Sequence, residues 1–177
     1  MISMEEKSIN SKFPLKGKKI WVAGHNGMVG RSIVKKLKNE DCTILTSDKI
    51  KLDLTSQIKV DSWIKKNKPD VIFLVAAKVG GILANINYPK QFLYDNTIIS
   101  FNVINSAHKY KVKKLIFLGS SCIYPANPRK FPMDETMIHE SPPHPSNEGY
   151  AYAKRMLEVQ CRKYNETYNR EYICLIP

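Results

Sequence analysis

Three near-continuous apolar runs constrain this chain more than anything else in it: "KKIWVAG" from Lys18, "DVIFLVAA" from Asp70 and "KLIFLGS" from Lys114. A strand exposed to water on one face alternates apolar and polar residues, so runs without alternation predict strands buried on both faces of a parallel sheet. The segments between them have helical spacing. "MVGRSIVKKLK" repeats apolar residues at Val29, Ile33 and Leu37, "TSQIKVDSWIKKN" reads as a helix opened by Thr55 or Ser56, and "QFLYDNTIISFNVINSAHKY" carries Phe92, Ile99, Val103 and Ala107. "CTILTS" adds a second strand and "EYICLIP" a fifth. The helix between Glu148 and the fifth strand carries Ala153, Leu157, Cys161, Tyr164 and Tyr168 as its apolar stripe. Strands alternating with helices give an α/β fold with a doubly wound parallel sheet.

A chain of 177 residues, 43% of them apolar, is long enough for one domain with its own core. The expected division is a polar leader over 1–16 and one domain over 17–177, with an irregular loop at 124–148. That loop holds Pro125, Pro128, Pro132, Pro142, Pro143 and Pro145, and loops of this length in compact domains usually carry function. The longest apolar run, Val71 to Ala77, is too short to cross a bilayer, and "MISMEEKSINSKF" lacks the apolar centre of a signal peptide. No membrane association and a cytoplasmic location are expected. The four cysteines are scattered without a C-x-x-C pair, which suggests reduced thiols and no metal site. The net charge of +12 comes mostly from lysines spread in pairs such as Lys35-Lys36 and Lys65-Lys66. It suits a small anionic ligand containing a diphosphate, and nucleic acid is not expected as a partner.

In doubly wound sheets, ligands bind beyond the carboxyl ends of the strands. Gly24, the stretch Ala76 to Gly81, and Ser120 to Cys122 all fall there and are expected to converge. "GHNGMVG" spaces Gly24, Gly27 and Gly30 between first strand and first helix, where a tight turn and free helix N–H groups, including those of Met28 and Val29, accept a pyrophosphate. Asp48 and Lys49 end the second strand, where the adenosine ribose is expected. The carboxylate suits a 2′-hydroxyl and the ammonium a 2′-phosphate, so the pair leaves NAD and NADP both open. Asp53 and Leu54 are candidates for adenine, with a structural aspartate at the helix start as the alternative. Asn96, an amide inside an apolar helix, is expected to cap nearby backbone, with a cofactor contact as the other reading.

"GYAYAKRM" places Tyr150 and Lys154 at i and i+4, on one helix face. A nearby ammonium favours the phenolate, which would make Tyr150 a proton donor or acceptor near neutrality. Ser120, at the mouth of the fourth strand, could hold a carbonyl oxygen that the tyrosine protonates. A glycine triplet, a strand-end serine and Tyr-x-x-x-Lys, in that order, suit a nicotinamide-dependent reductase.

These motifs resemble the extended branch of the short-chain dehydrogenase/reductase superfamily, whose dinucleotide domain is Rossmann-like. "AAKVGGI", "GSSCIYP" and "DETMIHESPPHPSNEGYAYAKRM" are similar to the GDP-L-fucose synthase family. The resemblance implies C3/C5 epimerisation of GDP-4-keto-6-deoxymannose followed by reduction at C4 by NADPH. It implies Cys122 as the epimerisation acid/base with a partner histidine, Ser120 and Tyr150 on the C4 oxygen, and Lys154 on the nicotinamide ribose. Gly24, Gly27, Met28, Val29, Gly30, Lys49, Asp53, Leu54, Ala76 and Ala77 would hold the cofactor. A homodimer is implied through helices equivalent to "NTIISFNVINSAHK" and the Tyr150 helix.

The resemblance further implies that the chain ends before the family's smaller C-terminal substrate domain and is incomplete for activity, with the partner histidine beyond Pro177. His139 and His144 are read as loop or surface residues. Asn26 and Lys49 stand where bacterial members carry arginines, so NADPH is expected and NADH remains open. The alternatives are another extended-family nucleotide-sugar epimerase or dehydratase using NAD, and an inactive dinucleotide-binding or dimerising module.

Overall fold

The computed structural model describes residues 13–177. Five parallel strands form one sheet in the order β2-β1-β3-β4-β5. They are β1 Lys18–Ala23, β2 Cys42–Leu45, β3 Val71–Leu74, β4 Lys114–Leu118 and β5 Glu171–Leu175. The helices between them are α1 Met28–Leu37, α2 Gln57–Asn67, α3 Ile82–Asn87, α4 Pro89–Lys109 and α5 Glu148–Tyr168. The order reverses between β1 and β3, which opens the crevice where such sheets bind ligands.

Strand alternation divides the core. On one face Ile20, Val22 and Val71 pack with Leu37, Ile33 and Val34 of α1. On the other, Trp21, Ile72, Leu74, Leu115 and Phe117 meet Val60 and Ile64 of α2, Val103 and Ile104 of α4, and Leu157 and Cys161 of α5. Residues one apart on a strand point to opposite faces, so the uninterrupted run in β1 serves both.

Three sequence expectations change. The run in "KLIFLGS" does not give a strand buried on both faces: Leu115 and Phe117 are buried, while Ile116 is half-buried and Ile173 and Leu175 of β5 are exposed. Among the described residues α1 is the one helix packed on that face, and it lies over β1 and β2. The leader, whose residues 1–12 lie outside the described part, is not wholly separate from the domain, because Phe13 and Leu15 pack against the α1 face. Along α5, Ala153, Leu157 and Cys161 are buried and Tyr164 is half-buried, but Tyr168 is exposed at the helix end, its ring centre 4.2 Å from that of His108 and tilted by 38°.

The proline-rich loop is irregular but anchored. Short 3-10 turns occupy Glu135–Met137 and Pro145–Asn147, and Met137 and Ile138 are buried. Arg155 of α5, itself buried, donates from Nε to the Ile123 carbonyl at 2.7 Å and from Nη2 to the Ser141 carbonyl at 2.9 Å. Two charge-assisted bonds to backbone fix the loop where it passes the start of α5.

Candidate active site

The turn after β1 is shaped by glycine. Gly24 has φ of +99°, and a Cβ there would stand 2.6 Å from the backbone nitrogen of Ala76. Gly30, in the first turn of α1, leaves room for the Gly24 carbonyl, which a Cβ would meet at 2.2 Å. Gly27 closes the turn by donating its N–H to the Gly24 carbonyl at 3.0 Å, and its own Cβ position is nearly open. The N–H groups of Met28, Val29 and Gly30 precede the first intrahelical bond, made by Arg31, and so remain free for an anion.

A cavity of about 310 Å³ opens against this turn, walled by Gly24, Gly27, Asp48, Lys49, Asp53, Leu54, Ala76 and Ala77. It brings these expected cofactor residues together from the ends of three strands, β1, β2 and β3. Met28, Val29 and Gly30 are not on its wall: Met28 is exposed and Gly30 is buried beneath the turn. A crevice at the strand-order reversal, with a glycine turn closed to a Cβ at Gly24 and Gly30, fits a dinucleotide.

Asp48 is already engaged. Its Oδ1 accepts from Asn26 Nδ2 at 2.7 Å and lies 3.4 Å from His25 Nε2. Asp53 behaves as the helix-start alternative describes. Its Oδ1 accepts from the N–H of Thr55 at 3.0 Å and its hydroxyl at 2.8 Å, which holds the carboxyl below its usual range. Lys78 and Asp95, paired at 3.0 Å, also line the cavity and had no distinguishing signal in the sequence. Asn96 did have one. Its Oδ1 accepts from the Lys78 N–H at 2.8 Å, and its Nδ2 donates to the carbonyls of Lys78 at 3.0 Å and Phe92 at 2.7 Å. One buried amide thus pins the loop leaving β3 to α4.

At the end of β4, Ser120 caps the 3-10 turn Ser121–Ile123, its Oγ accepting from the Cys122 N–H at 3.3 Å. Its own proton stays available to another acceptor. Cys122 and Tyr150 share a second cavity, of about 250 Å³, with Val79, Gly80, Gly81, Ile82, Asn85 and Asn147. The asparagines and the short helix α3 were not singled out in the sequence. The glycine pair before "ILANIN" was the available signal.

Lys154 does not lower the pKa of Tyr150 as the helical spacing suggested. Its Nζ donates to the Leu118 carbonyl at 2.7 Å and lies 5.7 Å from the centre of the Tyr150 ring. Burial of Tyr150 raises the phenol pKa, the neighbouring Cys122 raises it further, and only Ser120 draws it down. The phenol therefore holds its proton at neutral pH. Burial also lowers the ammonium of Lys154 to about 8. His139, bonded to Glu158 at 2.8 Å, and His144, which caps the turn at Ser146, are exposed and stand apart from the wall shared by Cys122 and Tyr150.

A parallel sheet with a glycine turn after β1 and a crevice beside it is the fold of a dinucleotide-binding domain. The chain belongs to the NAD dependent epimerase/dehydratase family, whose sequence pattern matches residues 20–177. Among curated relatives, it is 45% identical over 163 residues to GDP-L-fucose synthase of Sinorhizobium fredii, covering 92% of this chain and 52% of that protein. Among solved structures, DdhaC superposes with a TM-score of 0.90 at 38% identity, covering 93% of this chain and 48% of the other. The GDP-mannoheptose C4 reductase MlghC from Campylobacter jejuni, with NADP bound, superposes with a TM-score of 0.86 at 32% identity, covering 90% and 51%. The chain spans about half the length of the curated relatives it matches.

Proposed function

We propose that this chain carries the cofactor site and the proton-handling groups of a GDP-L-fucose synthase. Its reaction would be C3/C5 epimerisation of GDP-4-keto-6-deoxymannose followed by reduction at C4. The observation that carries this is the shared cavity of Cys122 and Tyr150: a thiol and a phenol on one wall suit a proton exchange beside a carbonyl and a protonation at it. Relatives from bacteria, an amoeba and plants named as GDP-L-fucose synthases support the substrate.

The dinucleotide would lie in the cavity at the glycine turn, held by Gly24, Gly27, Lys49, Leu54, Ala76 and Ala77, with the free N–H groups of α1 toward its pyrophosphate. NADPH supplies the hydride when bound, and NADP in the MlghC structure supports that choice. Lys49 offers the cation a 2′-phosphate needs, because Asp48 is tied to Asn26. Cys122 would remove and return the protons at C3 and C5, which are acidified by the C4 carbonyl between them. Ser120 would donate to the C4 oxygen with the proton its capping bond leaves free. Tyr150, protonated at neutral pH, would give its proton to that oxygen as negative charge develops on it. Lys154 would hold the nicotinamide ribose from its place against Leu118.

The assembly would be a homodimer formed through α4 and α5. Leu93, Tyr94, Ile98, Tyr152, Met156 and Val159 line a broad apolar groove of about 780 Å³ between these helices. Sedimentation of wild type beside Met156→Glu tests this, with a dimer expected only for wild type. The four cysteines are free and no described helix is long and apolar enough to cross a membrane, which supports a cytoplasmic location.

The functional test follows NADPH absorbance with GDP-4-keto-6-deoxymannose, using this chain and the chain with its own downstream sequence. Stoichiometric NADPH oxidation supports the proposal. Turnover with a resident NAD and no net dinucleotide consumption would instead mark another nucleotide-sugar epimerase or dehydratase. Dinucleotide binding with no turnover in either form would leave a binding module.

A further inference from the structure

The catalytic cavity has polar atoms in its wall that nothing in the protein satisfies. Asn85, on α3 and only 8% exposed, donates from Nδ2 to the carbonyl oxygens of Gly80 at 3.0 Å and Gly81 at 3.1 Å. Both neighbours of that nitrogen can only accept, so the amide cannot be turned over. Oδ1 is therefore fixed as the end facing away from these carbonyls, and it is buried without a donor. Asn147 is unpaired as well, although no bond within the protein fixes which way its amide lies. It precedes α5 without capping it, and its Oδ1 is also buried and unpaired. Both residues line the cavity that holds Cys122 and Tyr150. Buried acceptors are nearly always paired in native proteins, and one held without a partner beside reactive groups is prepared for a donor from outside.

We propose that Asn85 Oδ1, with the Asn147 amide on the wall of the same cavity, accepts hydrogen bonds from the ring hydroxyls of the sugar nucleotide and so fixes which way the ring lies over Cys122 and Tyr150. This rests on the sugar-nucleotide reading above. The ring has two kinds of edge. Its hydroxyls can donate, whereas its C4 carbonyl can only accept. An amide oxygen takes the first and rejects the second, because two acceptors brought together leave both unpaired. Ser120 and Tyr150 have hydroxyls that can donate, so they can take the carbonyl edge. A ring placed the right way satisfies both walls, whereas a ring turned end for end sets its carbonyl against the amide oxygen and leaves both acceptors unpaired. Asn85 and Asn147 are thus substrate-positioning residues that sort the ring by polarity.

The test observes asparagine side-chain amide signals by nitrogen-15 NMR in the chain saturated with NADP. GDP-4-keto-6-deoxymannose is titrated in, followed by analogues lacking the C2 or the C3 hydroxyl. The Asn85 side-chain signals are expected to shift with the same midpoint as the backbone signals of Cys122 and Tyr150. One of the two deoxy analogues should bind about three- to tenfold more weakly, the value of one neutral hydrogen bond, and leave Asn85 nearly unmoved. Asn85→Ser risks loosening the Gly80–Gly81 turn, so Asn147→Ala, which leaves that turn's bonds intact, is the second probe. It should weaken the parent compound by a similar factor and reduce the discrimination between parent and deoxy analogue. If Cys122 and Tyr150 signals respond while both asparagines stay still and Asn147→Ala binds as wild type, this proposal is overturned and the sugar-nucleotide reading stands. If no signal in the cavity responds to the sugar nucleotide, both fall.

Discussion

The ammonium of Lys154 donates to the carbonyl oxygen of Leu118 at 2.7 Å, and no carboxylate pairs with it among the described residues. A buried charge with one neutral partner is costly. Its pKa of about 8, against 10.5 for the unperturbed amine, expresses that cost. Between these values the unfolded chain binds the proton more readily than the folded one, so the stability contribution of Lys154 rises with pH across that window. Lys154→Met is therefore expected to raise the unfolding free energy at pH 7 by about 1–2 kcal/mol, allowing for the lost bond to Leu118. Urea denaturation of the two proteins across pH should show the difference shrinking from pH 8 toward 10.5. A variant less stable than wild type at pH 7 would contradict this.

The glycine turn predicts an ordering. Gly24→Ala combines a positive φ with a Cβ 2.6 Å from the Ala76 backbone, and should cost roughly 2–4 kcal/mol and remove dinucleotide binding. Gly27→Ala meets nothing closer than 3.4 Å and should keep most of the stability. Thermal denaturation and dinucleotide titration of both variants check this. Equal damage from the two would mean that the turn tolerates or resists side chains for another reason.

Much of this fold could be read from the sequence because buried parallel strands are apolar throughout and their helices keep a stripe. Lys18–Ala23 and Val71–Leu74 were legible on that basis, and Lys114–Leu118 was legible as a strand although one of its faces is only half-buried. What was not legible depends on contacts distant in the chain. The open side of Ile173 and Leu175 follows from which helices lie on which face, and single-strand pattern does not encode that. Helix α3 is a six-residue element after two glycines, too short for periodicity to register. The bond of Lys154 to the Leu118 carbonyl was not legible because helical spacing places a side chain on a face without saying which acceptor it reaches. Asn96 was legible as an oddity, a polar residue in an apolar helix, and its partners only from three dimensions.

Asn96 itself supports a prediction. Asn96→Leu removes the side chain that satisfies both backbone groups of Lys78 and the Phe92 carbonyl. Leaving such groups unpaired costs about 1–3 kcal/mol each where they stay buried, and the loop after β3 can recover part of this by opening to water. A net loss of about 2–4 kcal/mol in urea denaturation is expected, with faster amide exchange across Lys78–Gly81. Unchanged exchange there would show that the clamp is not what orders the loop.

The two proton-handling groups should separate genetically. Tyr150→Phe is expected to lower C4 reduction by about 10²–10⁴-fold while leaving proton exchange at C3 and C5 largely intact. Cys122→Ala should abolish the exchange and leave reduction of an already epimerised ketone. Steady-state assays with each ketone distinguish the steps. Equal loss of both steps in both variants would argue that these residues act only through the shape of the cavity.

The most direct measurement is deuterium uptake by GDP-4-keto-6-deoxymannose in heavy water with oxidised NADP bound, so that reduction cannot proceed, followed by mass spectrometry. It is made with the chain extended by its own downstream sequence, in wild type and Cys122→Ala. The expected result is two deuterium atoms per molecule, at C3 and C5, in wild type and none above background in the variant. Uptake that persists in Cys122→Ala, or a substrate that binds and takes up no deuterium in wild type, would contradict the account.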